Sequence, residues 1–252
     1  MPENSAFNSK PDLPSPGNPE SLAVAWEHWD SAVSRCADPG TESTAEKTAR
    51  SGPGKALLDA VFAHSPFLCR LAAGDPAFTL RILDEGPGAV LADILSDIAE
   101  TPEGETEPTL KTRLRLAKKR AALTIAMADI GGSWPLEQVT GGLSDVAEAC
   151  LKAACDFCLR EMARRGALEL ADPAAPSEGS GLVVLGMGKL GARELNYSSD
   201  IDIIVLFDPE VMQTTKPDDL QPAMVRLVRQ MLRIMDERTA DGYVFRTDLR
   251  LR

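Results

Sequence analysis

The sequence predicts an α+β protein: a helical N-terminal region followed by a small mixed-sheet core. Apolar residues recur at helical spacing from Lys55 to about Arg165. The stretch ADPAAPSEGSG (171–181) then interrupts that pattern. Beyond it, two short continuous apolar runs, Leu182–Leu185 and Ile201–Phe207, read as buried strands. Aromatic residues make up only 5% of the chain, so aliphatic side chains must supply the core, which suits helix packing.

Residues 1–50 are expected to be largely disordered or loosely helical. The first twenty are rich in Pro, Ser and Asn, and an amphipathic piece near Leu22–Cys36 carries Trp26 and Trp29 at helical spacing. A second loose segment, ADPGTESTAEKTARSGPG, follows. Residues 51–178 form a helical domain with its linker. Leu57, Leu58, Val61 and Phe62 share a stripe, and Pro66 opens a helix with Phe67, Leu68 and Leu71. Leu110–Ile130 is a long helix that Thr109 can cap and Gly131-Gly132 stops. Its basic cluster, Lys118-Lys119-Arg120, reads as a solvated face. Another helix runs from about Ser144 to Arg165, with Gly166 as its terminator. Residues 179–252 form the mixed-sheet core. There Met224, Leu227, Val228, Met231, Ile234 and Met235 mark one helical face, and Tyr243–Leu251 reads as a final strand.

The formal net charge is −11, from 38 acidic and 27 basic residues, which disfavours nucleic acid as the main partner. The opening residues lack the apolar segment of a secretory signal, and no apolar run reaches the ~20 residues of a membrane span. Five cysteines without such a signal point to a reducing cytoplasm. Cys155-x-x-Cys158 has no second pair and no nearby histidine, and its apolar neighbours make it core packing.

The chemistry lies in GLVVLGMGKLGARELNYSSDIDIIVLFD (181–208). Asp200 and Asp202 project to one face of the second strand, about 7 Å apart along the chain. Carboxylates so placed can converge on hard divalent cations, and two such ions can clamp the attacking and leaving oxygens of a displacement at phosphorus. Asp248 on the final strand supplies a third carboxylate, flanked by Arg246 and Arg250 on the same face. Gly186-Met187-Gly188-Lys189-Leu190-Gly191 formally matches a dinucleotide-binding turn. Only Ala192–Ser199 separates it from the next strand, however, too little for the crossover helix of a parallel unit. A Walker A loop is excluded, because Leu190 follows Lys189 where Ser or Thr is needed.

The spacing of Gly188-Lys189, Asp200, Asp202 and Asp248 resembles the DNA polymerase beta-type nucleotidyltransferase superfamily. At GMGKLGARELNYSSDIDIIVLF and VFRTDLRLR the resemblance narrows to the glutamine synthetase adenylyltransferase/deadenylylase family, in its N-terminal copy. It covers roughly residue 55 to the end. The resemblance implies that Asp200, Asp202 and Asp248 hold Mg²⁺. It also implies that Gly186, Gly188 and Gly191 let the turn approach phosphates, that Ser199 donates a hydrogen bond, and that Lys189 and Arg250 balance charge. The implied reaction is removal of AMP from adenylylated glutamine synthetase by orthophosphate, releasing ADP, with the PII signal protein as regulator. AMP attachment from ATP uses the same in-line chemistry and stays open, as does a non-catalytic regulatory module. The resemblance also implies a fragment of a longer chain, since the sequence stops just after the third carboxylate.

Overall fold

The first helices start where a short polar side chain precedes a proline. In the computed structural model, which describes residues 13–36, 39–102, 104–214 and 217–249, Asn18 caps α1 (Pro19–Val33) by accepting from the backbone N–H of Glu20 and Ser21. Ser65 caps α4 (Pro66–Gly74), and Asp75 caps α5 (Pro76–Glu85), in the same way. Proline at the first helical position loses nothing, since its missing N–H would have no intrahelical partner. The remaining helices of the N-terminal stretch are α2 (Pro39–Thr44), continued by a π turn (Ala45–Ala49), α3 (Gly52–His64) and α6 (Pro87–Ala99). The segment expected to be loose after Cys36 therefore holds helical structure. Ala45 and Ala49 are small enough to be buried there. Residues 1–12 lie outside the described residues.

Two long helices follow, α7 (Glu107–Ile130) and α8 (Leu136–Arg164). The cap of α7 is Thr106 rather than Thr109. Thr106 Oγ1 accepts from the Thr109 N–H at 3.4 Å, and Thr109 Oγ1 accepts from the Thr106 N–H at 2.8 Å. This reciprocal pair starts the helix three residues before the expected Leu110. Helix α8 begins eight residues before Ser144, because Gly141 and Gly142 do not break it. A Cβ on Gly142 would sit 3.2 Å from Leu91 Cδ2, so this glycine serves close packing. Gly166, at φ +67°, ends the helix as read.

The chain forms two compact units, one of residues 1–94 and 119–142, the other of 95–118 and 143–252. In the first, Trp26, Trp29 and Phe62 form an edge-on aromatic cluster, and the indole N–H of Trp26 donates to Asp59 Oδ1 at 2.8 Å. Arg120 is only partly exposed: its guanidinium stacks on Phe78 and donates to Asp75 at 2.8 Å. Lys118, in the second unit, lies over Tyr243 and Phe245. The basic cluster on α7 thus keeps partial exposure, as a solvated face would, while Lys118 and Arg120 also pack on aromatic rings.

The second unit contains the sheet, in the order β1 (Leu182–Gly186), β2 (Ile201–Phe207), β3 (Thr247–Leu249). Strands β1 and β2 are antiparallel, joined through a one-turn helix, α9 (Gly188–Gly191), while β2 and β3 are parallel. Parallel pairing needs a long crossover, supplied here by α10 (Leu220–Asp236). Its Met224, Leu227, Met231, Ile234 and Met235 are buried, as their spacing predicts. The final strand is shorter than expected at its start. The Val244 and Phe245 N–H groups both donate to Met235 O at the end of α10, so they are not available to a ladder. The sheet is therefore mixed and small, and the protein is α+β.

The segment 171–181 has no helix or strand, as read, but it is not a free spacer. The Ser177 N–H donates to Asp156 Oδ1 and the Arg160 guanidinium to Pro173 O, so α8 holds it down. Cys150, Cys155 and Cys158 are buried on α8, and burial pushes the Cys150 and Cys155 thiols up to about 12. Thiols this far from ionising behave as core side chains. No helix among the described residues is long and apolar enough to cross a membrane.

Candidate active site

Alternation along β2 buries Ile201 and Ile203 completely and turns Asp202 to the opposite face. Register pairing puts Val183 and Leu185 of β1, and Leu206 of β2, on that same face, where they are 47%, 43% and 51% exposed. One face of the sheet is thus packed and the other open. The carboxylates stand on the open face.

Asp202 and Asp248 are direct register partners in the parallel ladder. Adjacent strands lie roughly 4.8 Å apart, so register partners project side by side. The backbone that achieves this is local: the Met187 N–H donates to Asp202 O at 2.8 Å, and the Ile201 N–H donates to Arg246 O at 2.9 Å. These bonds extend both ladders by one residue at the end where the carboxylates sit.

Asp200 falls just before β2, and its side chain is already engaged. The Arg246 guanidinium pairs with Asp200 Oδ1 at 2.6 Å and also donates to Ser198 O at 3.0 Å. Among the described residues, no group of three or more His, Cys, Asp and Glu side chains is gathered closely enough to hold a metal ion. The ladder therefore brings Asp202 and Asp248 together, with Asp200 held by an internal cation.

The three glycines of the turn have different surroundings. A Cβ on Gly191 would stand 2.4 Å from Gly186 O, and one on Gly186 would stand 3.0 Å from Leu190 Cγ. Gly186 and Gly191 are therefore required for α9 to fold back on β1. Gly188 adopts φ +52°, and the nearest atom to its absent Cβ is Asp202 Oδ2 at 3.2 Å. That glycine keeps space open beside a carboxylate. Lys189 is exposed. Ser199 donates to Asn196 Oδ1 at 2.8 Å, so its hydroxyl shapes the loop ahead of Asp200. Arg250 lies outside the described residues.

Two residues that hold the site's framework escaped the sequence reading. Arg193 is the one non-glycine residue at positive φ among those described, +58°, and it pairs with Asp145 at 2.5 Å and with Glu148 at 3.4 Å. Its position directly after a glycine turn is the only sequence signal for it. Arg115 is 1% exposed and donates to the carbonyls of Lys111, Ile234, Glu237 and Gly242. It closes the C-terminal end of α10 and the turn that leads into β3. Burial lowers its pKa, and the nearby Glu237, Asp241 and Asp236 oppose that effect.

A cavity of about 480 Å³, lined by Glu148, Lys152, Cys155, Val184 and Leu190, lies against the packed face of the sheet. Val184 pairs with Val205, on the side opposite Asp202, so this cavity is separate from the carboxylates.

Residues 55–252 match the family model described as Glutamate-ammonia ligase adenylyltransferase. Curated relatives named bifunctional glutamine synthetase adenylyltransferase/adenylyl-removing enzyme include one from Xanthobacter autotrophicus, 47% identical over 75% of this chain and 19% of its own. Another, from Bradyrhizobium diazoefficiens, is 44% identical over 79% of this chain and 20% of its own. The relative from Rhizobium meliloti is 43% identical over 88% and 23%. The chain spans about a fifth of the length of these relatives. With the matched region running from α3 through the sheet and its carboxylates, the chain belongs to the glutamate-ammonia ligase adenylyltransferase family.

Proposed function

We propose that the second unit carries a metal-dependent nucleotidyltransferase site that removes AMP from adenylylated glutamine synthetase, with orthophosphate as nucleophile and ADP as product. The observation that carries this reading is the register pairing of Asp202 with Asp248 beside the space at Gly188. The relatives' printed names support glutamine synthetase as the protein acted on. The donor set suits Mg²⁺: Asp202 Oδ2 borders the space, Asp248 is its register partner, and hard cations take oxygen ligands. Asp202 and Asp248 would hold the ion, and Asp200 would join them on release from Arg246. When bound, Mg²⁺ supplies charge stabilisation for in-line displacement at phosphorus.

The chain's own residues supply position and counter-charge. Exposed Lys189 and Arg246, with Arg250, offer cations for the phosphate oxygens, and Arg can engage them through two parallel N–H donors. Gly188 admits a phosphate next to Asp202 where a side chain would exclude it. The partners on this reading are adenylylated glutamine synthetase, orthophosphate and ADP, with the PII signal protein as regulator, in the cytoplasm. Incubation with adenylylated glutamine synthetase, Mg²⁺ and labelled phosphate should release labelled ADP. Free AMP as the sole product would replace phosphorolysis with hydrolysis. AMP transfer from ATP without removal would reverse the assigned direction.

A further inference from the structure

The Arg246–Asp200 pair places a cation of the protein on a carboxylate of the candidate metal site. We infer that Arg246 is an exchangeable internal counter-ion: it neutralises Asp200 while the metal is absent, and it yields that carboxylate when a divalent cation binds. Once released, it serves as a phosphate ligand. This rests on the metal-dependent reading above.

Three observations support exchange. First, the pair is open to solvent, with side chains 57% and 52% exposed, and an exposed ion pair is held only weakly. A divalent ion carries twice the charge and can bridge Asp200 to neighbouring carboxylates, so it can displace a single guanidinium from it. Second, Arg246 has a separate anchor. Its second guanidinium nitrogen donates to Ser198 O at 3.0 Å, which would keep the side chain at the rim after Asp200 is given up. Third, Arg246 is two residues before Asp248, and its own carbonyl accepts the Ile201 N–H at the start of β2. Movement of the guanidinium therefore needs no change in the ladder. A freed guanidinium beside bound metal has the planar donor fork that phosphate oxygens accept.

The contrasting role is bracing, in which Arg246 simply fixes the Ser198–Asp200 loop. The two roles predict opposite signs for one measurement. Calorimetry on the 252-residue chain should give Mg²⁺ affinity for the wild type, Arg246→Met, Arg246→Lys and Asp202→Asn. Exchange predicts that Arg246→Met tightens Mg²⁺ binding about two- to fivefold, the range set by the worth of an exposed pair. It also predicts that the same variant weakens binding of inorganic phosphate in the presence of saturating Mg²⁺, with Arg246→Lys intermediate in both. Weaker Mg²⁺ binding in Arg246→Met, with circular dichroism unchanged, would establish bracing and overturn the inference. Unchanged Mg²⁺ affinity would also overturn it, because nothing would then be displaced. Tighter metal binding with unaltered phosphate binding would overturn the second role. If Mg²⁺ binding is absent, or is the same in Asp202→Asn, the metal reading itself fails, whatever Arg246 does.

Discussion

At Asp202 a single side chain has a local cause and a long-range one. The local cause is alternation: Ile201 and Ile203 are apolar and buried, so the residue between them must face the other way. That much was legible from the sequence, because a period of two needs only neighbouring residues. A third carboxylate on the final strand was expected from the shared motif pattern, whereas its register with Asp202 depends on the crossover that runs from Phe207 to Thr247. Asp202→Asn keeps the size and loses the charge, so AMP removal should fall by at least about a hundredfold with the fold intact. Wild-type turnover of this variant at saturating Mg²⁺ would remove the metal role. The glycines were legible as a turn but not by role, since what each Cβ would strike is a tertiary fact. Gly191→Ala forces a Cβ against the Gly186 carbonyl oxygen and should cost about 1–3 kcal/mol. Gly88→Ala, in α6 with nothing within 4 Å of the added carbon, serves as the control. It should be neutral or stabilising by up to about 1 kcal/mol in urea denaturation. Equal losses at both positions would contradict the packing argument.

At the scale of elements, α7 and α10 are joined by charges whose partners are more than a hundred residues apart. That separation is why sequence reading found neither Arg115 nor Glu107. Arg115 ties together four carbonyls, of Lys111 in α7, Ile234 and Glu237 at the end of α10, and Gly242 in the turn before β3, and its charge is buried among them. Arg115→Met should therefore lower stability by about 2–4 kcal/mol. Arg115→Lys should recover only part of this, because an ammonium cannot reach that spread of acceptors. Full recovery by lysine in thermal unfolding would mean that charge, not the fork, matters. Burial would raise the Glu107 carboxyl. Hydrogen bonds from Arg233, Lys111 and Gln230, with the charge of Lys111, outweigh it and hold the group at about 2. A carboxyl depressed on folding adds stability that is complete above its ordinary value of 4.5. That stability is lost as pH falls through about 2. Thermal midpoints between pH 5 and pH 2 should thus fall more steeply for the wild type than for Glu107→Gln. Parallel curves would show that the network contributes nothing to acid stability.

Over the whole molecule, composition suggests cutting the chain at 50/51 and 178/179, whereas contacts group residues 95–118 and 143–252 into one compact unit. A boundary drawn from sequence follows the change in periodicity from helix to strand. Periodicity reports what each segment becomes and not what covers it. The bonds that cross position 178/179 within the second unit are numerous and varied. Arg115 reaches Ile234 O and Gly242 O, Glu107 accepts from Arg233 and Gln230, and Cys155 Sγ lies 3.2 Å from Met231 Sδ. Arg193 also pairs with Asp145 and Glu148, and Thr214 donates to Ala167 O. Residues 179–252 alone would keep the three strands and α10. They would lose the residues that meet Met231 and that close the end of α10. A three-stranded sheet with one helix is near the lower limit of independent stability. The isolated 179–252 segment should therefore lack a cooperative thermal transition and bind the dye ANS, as chains with exposed apolar surface do. The 252-residue chain should unfold cooperatively and leave the dye unbound. A sharp transition and dispersed amide NMR signals from 179–252 alone would show that the composition boundary is a folding boundary. The long-range contacts of Arg115 and Glu107 would then be dispensable to the site.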